Sequence, residues 1–308
     1  MRLLVGRGDE VIVADDLVSG TRDRVAGIPL IQLDLAESGA ADVLATAIVE
    51  HNVDSVVHLA ARKAVGESVA RPAWYYQQNI AGLAAVLEAM EAASVSRLVF
   101  SSSAAVYGHA TGVVSETTPT VPASPYGATK LVGEWLVSAA VDAFDLRAVS
   151  LRYFNVAGAG WPELRDRAVA NLVPMVFERI DAGEPPLIFG DDFDTSDGTC
   201  IRDYVHVLDL AEAHLAALDH IDDFGRTHRV YNVGTGTGTS VHEMVSAILK
   251  ASGSPLEARV VSRRAGDPAE LVAAVDHLHD ELGWRARFGL DDIVRSAWEA
   301  HLLQRVES

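Results

Sequence analysis

Tyr126 and Lys130 stand four residues apart in SPYGATKLVGEWLVSAAVDAF. On a helix that spacing puts both side chains on one face. A lysine ammonium beside a phenol favours the phenolate and draws its pKa down from about 10, toward the range of a working general base. Three consecutive serines, Ser101, Ser102 and Ser103, close the apolar run RLVF. Ligands of open α/β sheets bind beyond the carboxyl ends of strands, where a serine hydroxyl can hold a substrate oxygen. A tyrosine–lysine spacing alone is compatible with a chance pair on a helix surface, and serines after a strand are ordinary turn residues. Their joint occurrence, in the order strand, serines, helix, favours catalysis. Lysine is also scarce, with only Lys63, Lys130 and Lys250 present. A lysine kept where arginine is the usual cation points to a job that a guanidinium does not do.

Those side chains need a scaffold. EVIVAD, PLIQLDL, SVVHLAA, RLVFSSS and LRAVSLRYFNV are short apolar runs suited to buried strands. GAADVLATAIVEHN has helical spacing and ends at Asn52, and WYYQQNIAGLAAVLEAMEAASV is long enough only for a helix. Apolar strands alternating with helices predict a doubly wound α/β fold around a parallel sheet covered on both faces. After about Asn155 the pattern loosens into turn-rich loops, AGAGWPELRDR and GDDFDTSDGTC, around a helix at NLVPMVFERIDAG. The expected organisation is a Rossmann-like domain over residues 1–155 and a smaller C-terminal α/β lobe over 156–308. Part of 200–235, including DYVHVLDLAEAHLAAL, is expected to pack back on the first.

EVIVADD ends in two acids, Asp15 and Asp16. In a dinucleotide-binding βαβ unit an acid there hydrogen-bonds the adenosine ribose, about 20 residues after the start of a glycine-rich phosphate loop. Gly6 and Gly8 precede Asp15, but no apolar strand lies ahead of them. The expectation is therefore a chain that starts inside the first helix of such a unit, without its first strand and phosphate loop.

Composition narrows the function class. A 308-residue chain with 49% hydrophobic and 22% charged residues describes a globular protein. No apolar run approaches the roughly 18 residues of a membrane span. The first residues lack the layout of a secretory signal. A single cysteine, Cys200, excludes an internal disulfide and fits a reducing cytoplasm. The net charge of -18 argues against nucleic acid, so an anionic ligand has to be held by local cations.

In order along the chain, HLAARKAVGESVARPAWYYQQN, FSSSAAVYG, SPYGATK, LRYFNVAGA, GTCIRDYVHVLDLAEAH, YNVGTGTGTSVHE and RRAGDPAELVA resemble the extended short-chain dehydrogenase/reductase family. Within it they resemble the branch that inverts C4 of UDP-hexoses. The resemblance implies NAD as cofactor and 4-epimerisation of UDP-glucose and UDP-galactose through a 4-keto sugar. It implies Tyr126 as base, Lys130 as its partner and ribose ligand, and Ser103 as the hydrogen-bonding serine. Asp15 and Asp16 would hold the adenosine ribose, and Asp34 and Leu35 would flank the adenine. Leu59, Ala60 and Ala61 would lie along the cofactor, with Lys63 near its phosphates and Asn79 and Ser101 close by. Tyr153 and Phe154 would border the nicotinamide. Asn155, Asn171, Leu172, Arg202, Arg264 and Asp267 would hold the UDP-sugar, arginine being suited because its planar fork pairs two phosphate oxygens. Leu271 would sit where a bulky residue crowds an N-acetyl group, and a homodimer would form through the helices containing Leu83 and Leu131. Lacking the phosphate loop, the chain is expected to bind NAD poorly and to turn over little.

The rival enzymes of the family are 4,6-dehydratases and decarboxylases, and an inactive cofactor-binding homologue is a third reading. Dehydratases usually carry an acid pair after the strand-end hydroxyl, where this chain has Ala104 and Ala105. Two further stretches are decoys. GTGTGTS reads as a turn into a helix capped by Thr239 or Ser240, and His277 with His279 lack the further ligands of a metal site.

Overall fold

The computed structural model describes residues 1–166, 168–169, 171–264 and 266–307. RLLVGR forms helix α1 (Arg2–Arg7), closed by Gly8 in the left-handed conformation at φ 96°. There follow β1 (Val13–Asp15), β2 (Leu30–Gln32), α2 (Ala40–Glu50), β3 (Val56–His58), α3 (Val65–Ala70), α4 (Pro72–Tyr76) and α5 (Gly82–Ala92). Next come β4 (Arg97–Ser101), β5 (Gly112–Val114), α6 (Pro125–Ala143), β6 (Arg147–Tyr153), β7 (Asn155–Ala157) and α7 (Leu172–Asp181). The chain continues through β8 (Leu187–Phe189), β9 (Ile201–His206), α8 (Val207–His220), β10 (His228–Val233), β11 (Gly238–Ser240) and α9 (Val241–Ser252). It closes with β12 (Arg259–Val261), β13 (Glu270–Ala273), α10 (Asp276–Leu282) and α11 (Leu290–Glu307).

The architecture is the expected α/β, Rossmann-like one. A four-stranded sheet runs β10-β6-β4-β3, with β3 parallel to β4 and β4 parallel to β6. β1 and β2 pair in parallel as a ladder of their own. A five-stranded sheet has the order β11-β9-β13-β5 with β7 on β9, and β12 pairs with β8. The chain forms two compact units, one comprising Met1–Gly108, Thr120–Arg152 and His214–Tyr231, the other His109–Pro119, Tyr153–Ala213 and Asn232–Ser308.

In the first unit, Leu83, Leu98, Phe100, Val137 and Leu146 form the core that fixes α6 against β4. Two glycines of α6 make the approach close. A Cβ on Gly133 would lie 2.7 Å from the Phe100 ring, and one on Gly127 would lie 2.5 Å from the Ala105 carbonyl oxygen. The helix starts cleanly, since the Ser124 side chain accepts from the Gly127 amide and Pro125 fills the first turn. In the second unit Phe177, Ile188, Tyr204, Met244, Ile248 and Ile293 share a core.

The stretch DYVHVLDLAEAHLAAL is not one element. It divides between β9 and α8, and the Leu208 amide donates to His206 Nδ1 at 3.1 Å where strand turns into helix. The GTGTGTS turn leads into α9, which Ser240 caps in a reciprocal box with Glu243. No helix among the described residues is long and apolar enough to cross a membrane.

Candidate active site

The three serines end β4, and each is fastened differently. Ser101 Oγ hydrogen-bonds His214 Nε2 at 2.9 Å, and the Ser101 carbonyl accepts from Lys130 Nζ at 2.7 Å. Ser102 Oγ donates to Glu134 Oε1 at 2.5 Å. Ser103 Oγ accepts from the Ala105 amide at 3.2 Å, capping the 3₁₀ turn Ala104–Tyr107, and lies near enough to Tyr126 to act on its phenol. Ser103, Tyr126 and Lys130 are thus together at one strand end, all buried.

The electrostatics depart from expectation. Burial leads, raising the Tyr126 phenol above its ordinary pKa, and the neighbouring Ser103 hydroxyl only opposes this. Lys130 donates its hydrogen bond to a backbone carbonyl instead of to the phenol. Burial brings the Lys130 ammonium down to about 8, with Glu134 acting the other way. His58 is held neutral, pushed down to about 3 by burial and then by the charge of Lys130.

A buried ion pair that was not picked out from the sequence stands beside this group. Arg152 Nε and Nη2 donate to Glu134 Oε1 and Oε2 at 2.9 and 2.6 Å, while Arg152 Nη1 reaches the Tyr107 hydroxyl at 3.0 Å. Eighteen residues separate the two charges, on a helix and a strand, so no local pattern announces them.

Most of the other residues proposed for a cofactor lie at or after the carboxyl ends of β1, β2 and β3. Asp15 ends β1, and its Oδ1 accepts from the Leu17 amide at 2.7 Å. Asp16 pairs with Arg62, whose guanidinium also donates to Gln78 Oε1. Gln78 Nε2 donates to Asp34 Oδ2 at 3.4 Å, so one chain of contacts joins Asp16 to Asp34. Asn79 lies in a π-helical turn, exchanges hydrogen bonds with the Arg62 backbone and donates to Thr129 Oγ1 at 2.9 Å. Leu35 packs against the core beside α5. After β3, Leu59 is 61% exposed, Ala60 and Lys63 are exposed and Ala61 is half-buried.

In the second unit, Tyr153 ends β6 and Phe154 follows it, and the buried Phe154 donates its amide to the Val233 carbonyl. Asn155 starts β7 beside Tyr204 of β9. Asn171 precedes Leu172 at the start of α7 and donates to Asp166 Oδ2 at 3.1 Å. Arg202 lies on β9 between β11 and β13, opposite Thr239 and Leu271. The charges of Arg202 and Asp267 both act on Cys200, which burial keeps protonated. Arg264 stacks its guanidinium 4.0 Å over the Phe189 ring. Asp203, next to Arg202, is buried and accepts from four groups, Thr235 N and Oγ1, Gly236 N and Ala273 N, at 2.8 to 3.2 Å. His277 of α10 pairs with Glu281 and Glu116, and no cluster among the described residues suits a metal ion.

Parallel strands with acids at the ends of β1 and β2, and a serine–tyrosine–lysine group after β4, define a dinucleotide-dependent enzyme of short-chain dehydrogenase/reductase type. The sequence profile of the NAD dependent epimerase/dehydratase family matches residues 1–234, and the chain belongs to that family. It is similar to a UDP-glucose 4-epimerase of Azospirillum brasilense, 42% identical over 99% of this chain and 89% of the relative. Among solved structures it resembles a UDP-glucose 4-epimerase from Stenotrophomonas maltophila with bound NAD and formylated UDP-arabinopyranose. That match has a TM-score of 0.91 at 38% identity, covering 98% of this chain and 94% of the other. A UDP-glucose 4-epimerase from Bifidobacterium longum in complex with NAD+ and UDP gives a TM-score of 0.89 at 35% identity, over 98% and 94%. The expectation of a missing first strand and phosphate loop is not borne out by these comparisons.

The residues present fit NAD at the positions the structure describes. Carboxylates at the end of β1 suit a ribose diol, and the exposed Leu59 and Ala60 after β3 offer apolar surface for a planar ligand to cover.

Proposed function

We propose that this chain is a UDP-glucose 4-epimerase, an isomerase that uses NAD to invert C4 of UDP-glucose and UDP-galactose. The observation that carries the reading is Ser103, Tyr126 and Lys130 buried together at the end of β4, with Lys130 one helical turn after Tyr126. NAD, when bound, supplies a reversible hydride acceptor. Ser103 orients the 4-hydroxyl, and Tyr126 takes its proton on oxidation and returns it on reduction. Lys130 supplies the positive charge that favours the phenolate, and its ammonium is a further donor for the cofactor ribose.

For the remaining positions we assign roles by residue type. Asp15 and Asp16 accept from the adenosine ribose, Asp34 and Leu35 flank the adenine, and Leu59, Ala60, Ala61, Lys63, Asn79 and Ser101 line the cofactor. Tyr153 and Phe154 border the nicotinamide. In the second unit Arg202 and Arg264 grip the diphosphate, helped by Asn155, Asn171, Leu172 and Asp267. Leu271, beside Arg202 in the sheet, disfavours N-acetylated sugars. Leu83 and Leu131 are themselves buried in the first unit, so a homodimer through α5 and α6 would use outward residues such as Trp135, which is 62% exposed. A single free cysteine accords with a cytoplasmic enzyme.

Ala104 and Ala105 after Ser103 favour inversion over elimination, since neither can protonate or deprotonate a sugar. The test is NMR of UDP-galactose incubated with the purified chain and NAD. Appearance of UDP-glucose supports the reading, whereas a 4-keto-6-deoxy sugar identifies a dehydratase and an unchanged spectrum refutes catalysis.

A further inference from the structure

The Glu134–Arg152 pair has no place in the mechanism so far, yet it touches both sides of Ser103. Glu134 accepts a hydrogen bond from the hydroxyl of Ser102, the residue before, and Arg152 holds Tyr107, the last residue of the turn that Ser103 caps. Both charges are buried, at 4% and 6% exposure. A buried pair gains little over apolar residues of the same size, so stability alone is a weak reason for its presence. Glu134 is also four residues after Lys130, which puts the two side chains on one face of α6.

We propose that Glu134 is a positioning residue of the epimerase reaction: clamped by Arg152 and Ser102, it sets Ser103 against Tyr126 and keeps Lys130 an ammonium. The inference rests on the reading of Tyr126 and Lys130 as catalytic. The groups facing Lys130 are few. On β3 and β4 stand a neutral His58, the Phe100 ring at 5.1 Å and the Ser101 carbonyl; α6 itself brings Tyr126 and Glu134. Glu134 is therefore the one anion among them that offsets burial, which has already brought Lys130 down to about 8. Around Glu134 stand Arg152 of β6 and His228 of β10, the latter held neutral by burial at about 4.

Because the chain has only three lysines, the ε-methylene signals of 13C-lysine-labelled protein can be titrated singly, with Lys130→Arg giving the assignment. Glu134→Gln keeps the shape and an acceptor for Ser102 but loses the charge, and should lower the Lys130 midpoint by about one pH unit. Glu134→Asp keeps the charge and should leave the midpoint near that of the parent, although its shorter reach loosens Ser102. Ser102→Ala should leave the midpoint unchanged and cut kcat about 10-fold with little change in KM. An unmoved midpoint in Glu134→Gln, or equal drops in Gln and Asp, overturns the charge role. Full turnover in Ser102→Ala overturns the positioning role, and this variant decides the matter if Glu134→Gln does not fold. The midpoint is read without turnover, so it separates this inference from the catalytic reading, which fails instead if Tyr126→Phe stays active.

Discussion

Replacing Asp203 by alanine tests how the second unit holds Arg202 in place. The Asp203 carboxylate is 1% exposed and joins the turn at Thr235 and Gly236 to the amide of Ala273 on β13. Truncation strands the Ala273 amide in the core and the Thr235 amide half-buried, while Gly236 is exposed enough for water to replace the carboxylate. At about 1–3 kcal/mol for each of these two donors left without a partner, the expected loss is about 2–6 kcal/mol. Asp203→Asn keeps one oxygen for Thr235 but turns an NH2 toward two N–H donors, or the reverse, and should cost about 1–3 kcal/mol. Urea unfolding followed by circular dichroism reads both values. Arg202 pairs with β11 and β13 on either side, so KM for the UDP-sugar should rise further than kcat falls. An alanine variant less than about 1 kcal/mol below the parent would refute the view that this carboxylate fastens the turn and β13.

Two further outcomes are expected. His58 and His228 are held at about 3 and about 4 in the folded chain, against an ordinary 6.5, so only the unfolded chain takes up protons as pH drops below 6.5. Stability should be full above that value and lower at pH 5 by about 2 kcal/mol per imidazole; urea midpoints at pH 7.5 and 5 check this, and His58→Asn with His228→Asn should flatten the slope. Gly127→Ala drives a methyl against the Ala105 carbonyl, and should cost about 1–3 kcal/mol in thermal unfolding and lower kcat about 100-fold by moving Tyr126 from Ser103.

The meeting of Ser103, Tyr126 and Lys130 at one strand end was legible because the elements that carry them obey local rules. RLVFSSS has to be a buried strand with polar residues at its end, and YGATK has to be the first turn of a helix. Asp15 was readable for the same reason, as the acid closing an apolar run. What escaped depends on partners far along the chain. Lys130 was expected to place its charge beside the Tyr126 phenol, but its ammonium donates to the Ser101 carbonyl, and a backbone group leaves no mark in a sequence. Glu134 looks like a solvent-facing charge on an amphipathic helix until Arg152 is brought beneath it by β6. Asp203 reads as one more polar residue in IRDYVH, and only the turn folded over it shows four donors aimed at one carboxylate. The junction of β9 and α8 was hidden because VHVLDL is apolar enough for either element, and His206 decides it by accepting from the chain two residues on.

The central claim is that Tyr126 moves the proton of the sugar 4-hydroxyl. Its most direct test is kcat of Tyr126→Phe on UDP-galactose at saturating NAD, with UDP binding measured beside it by calorimetry. Phenylalanine fills the same buried space and removes only the hydroxyl that meets Ser103. The account predicts a kcat lower by about 100- to 10,000-fold with UDP affinity unchanged. A variant that turns over at the parent rate would contradict it.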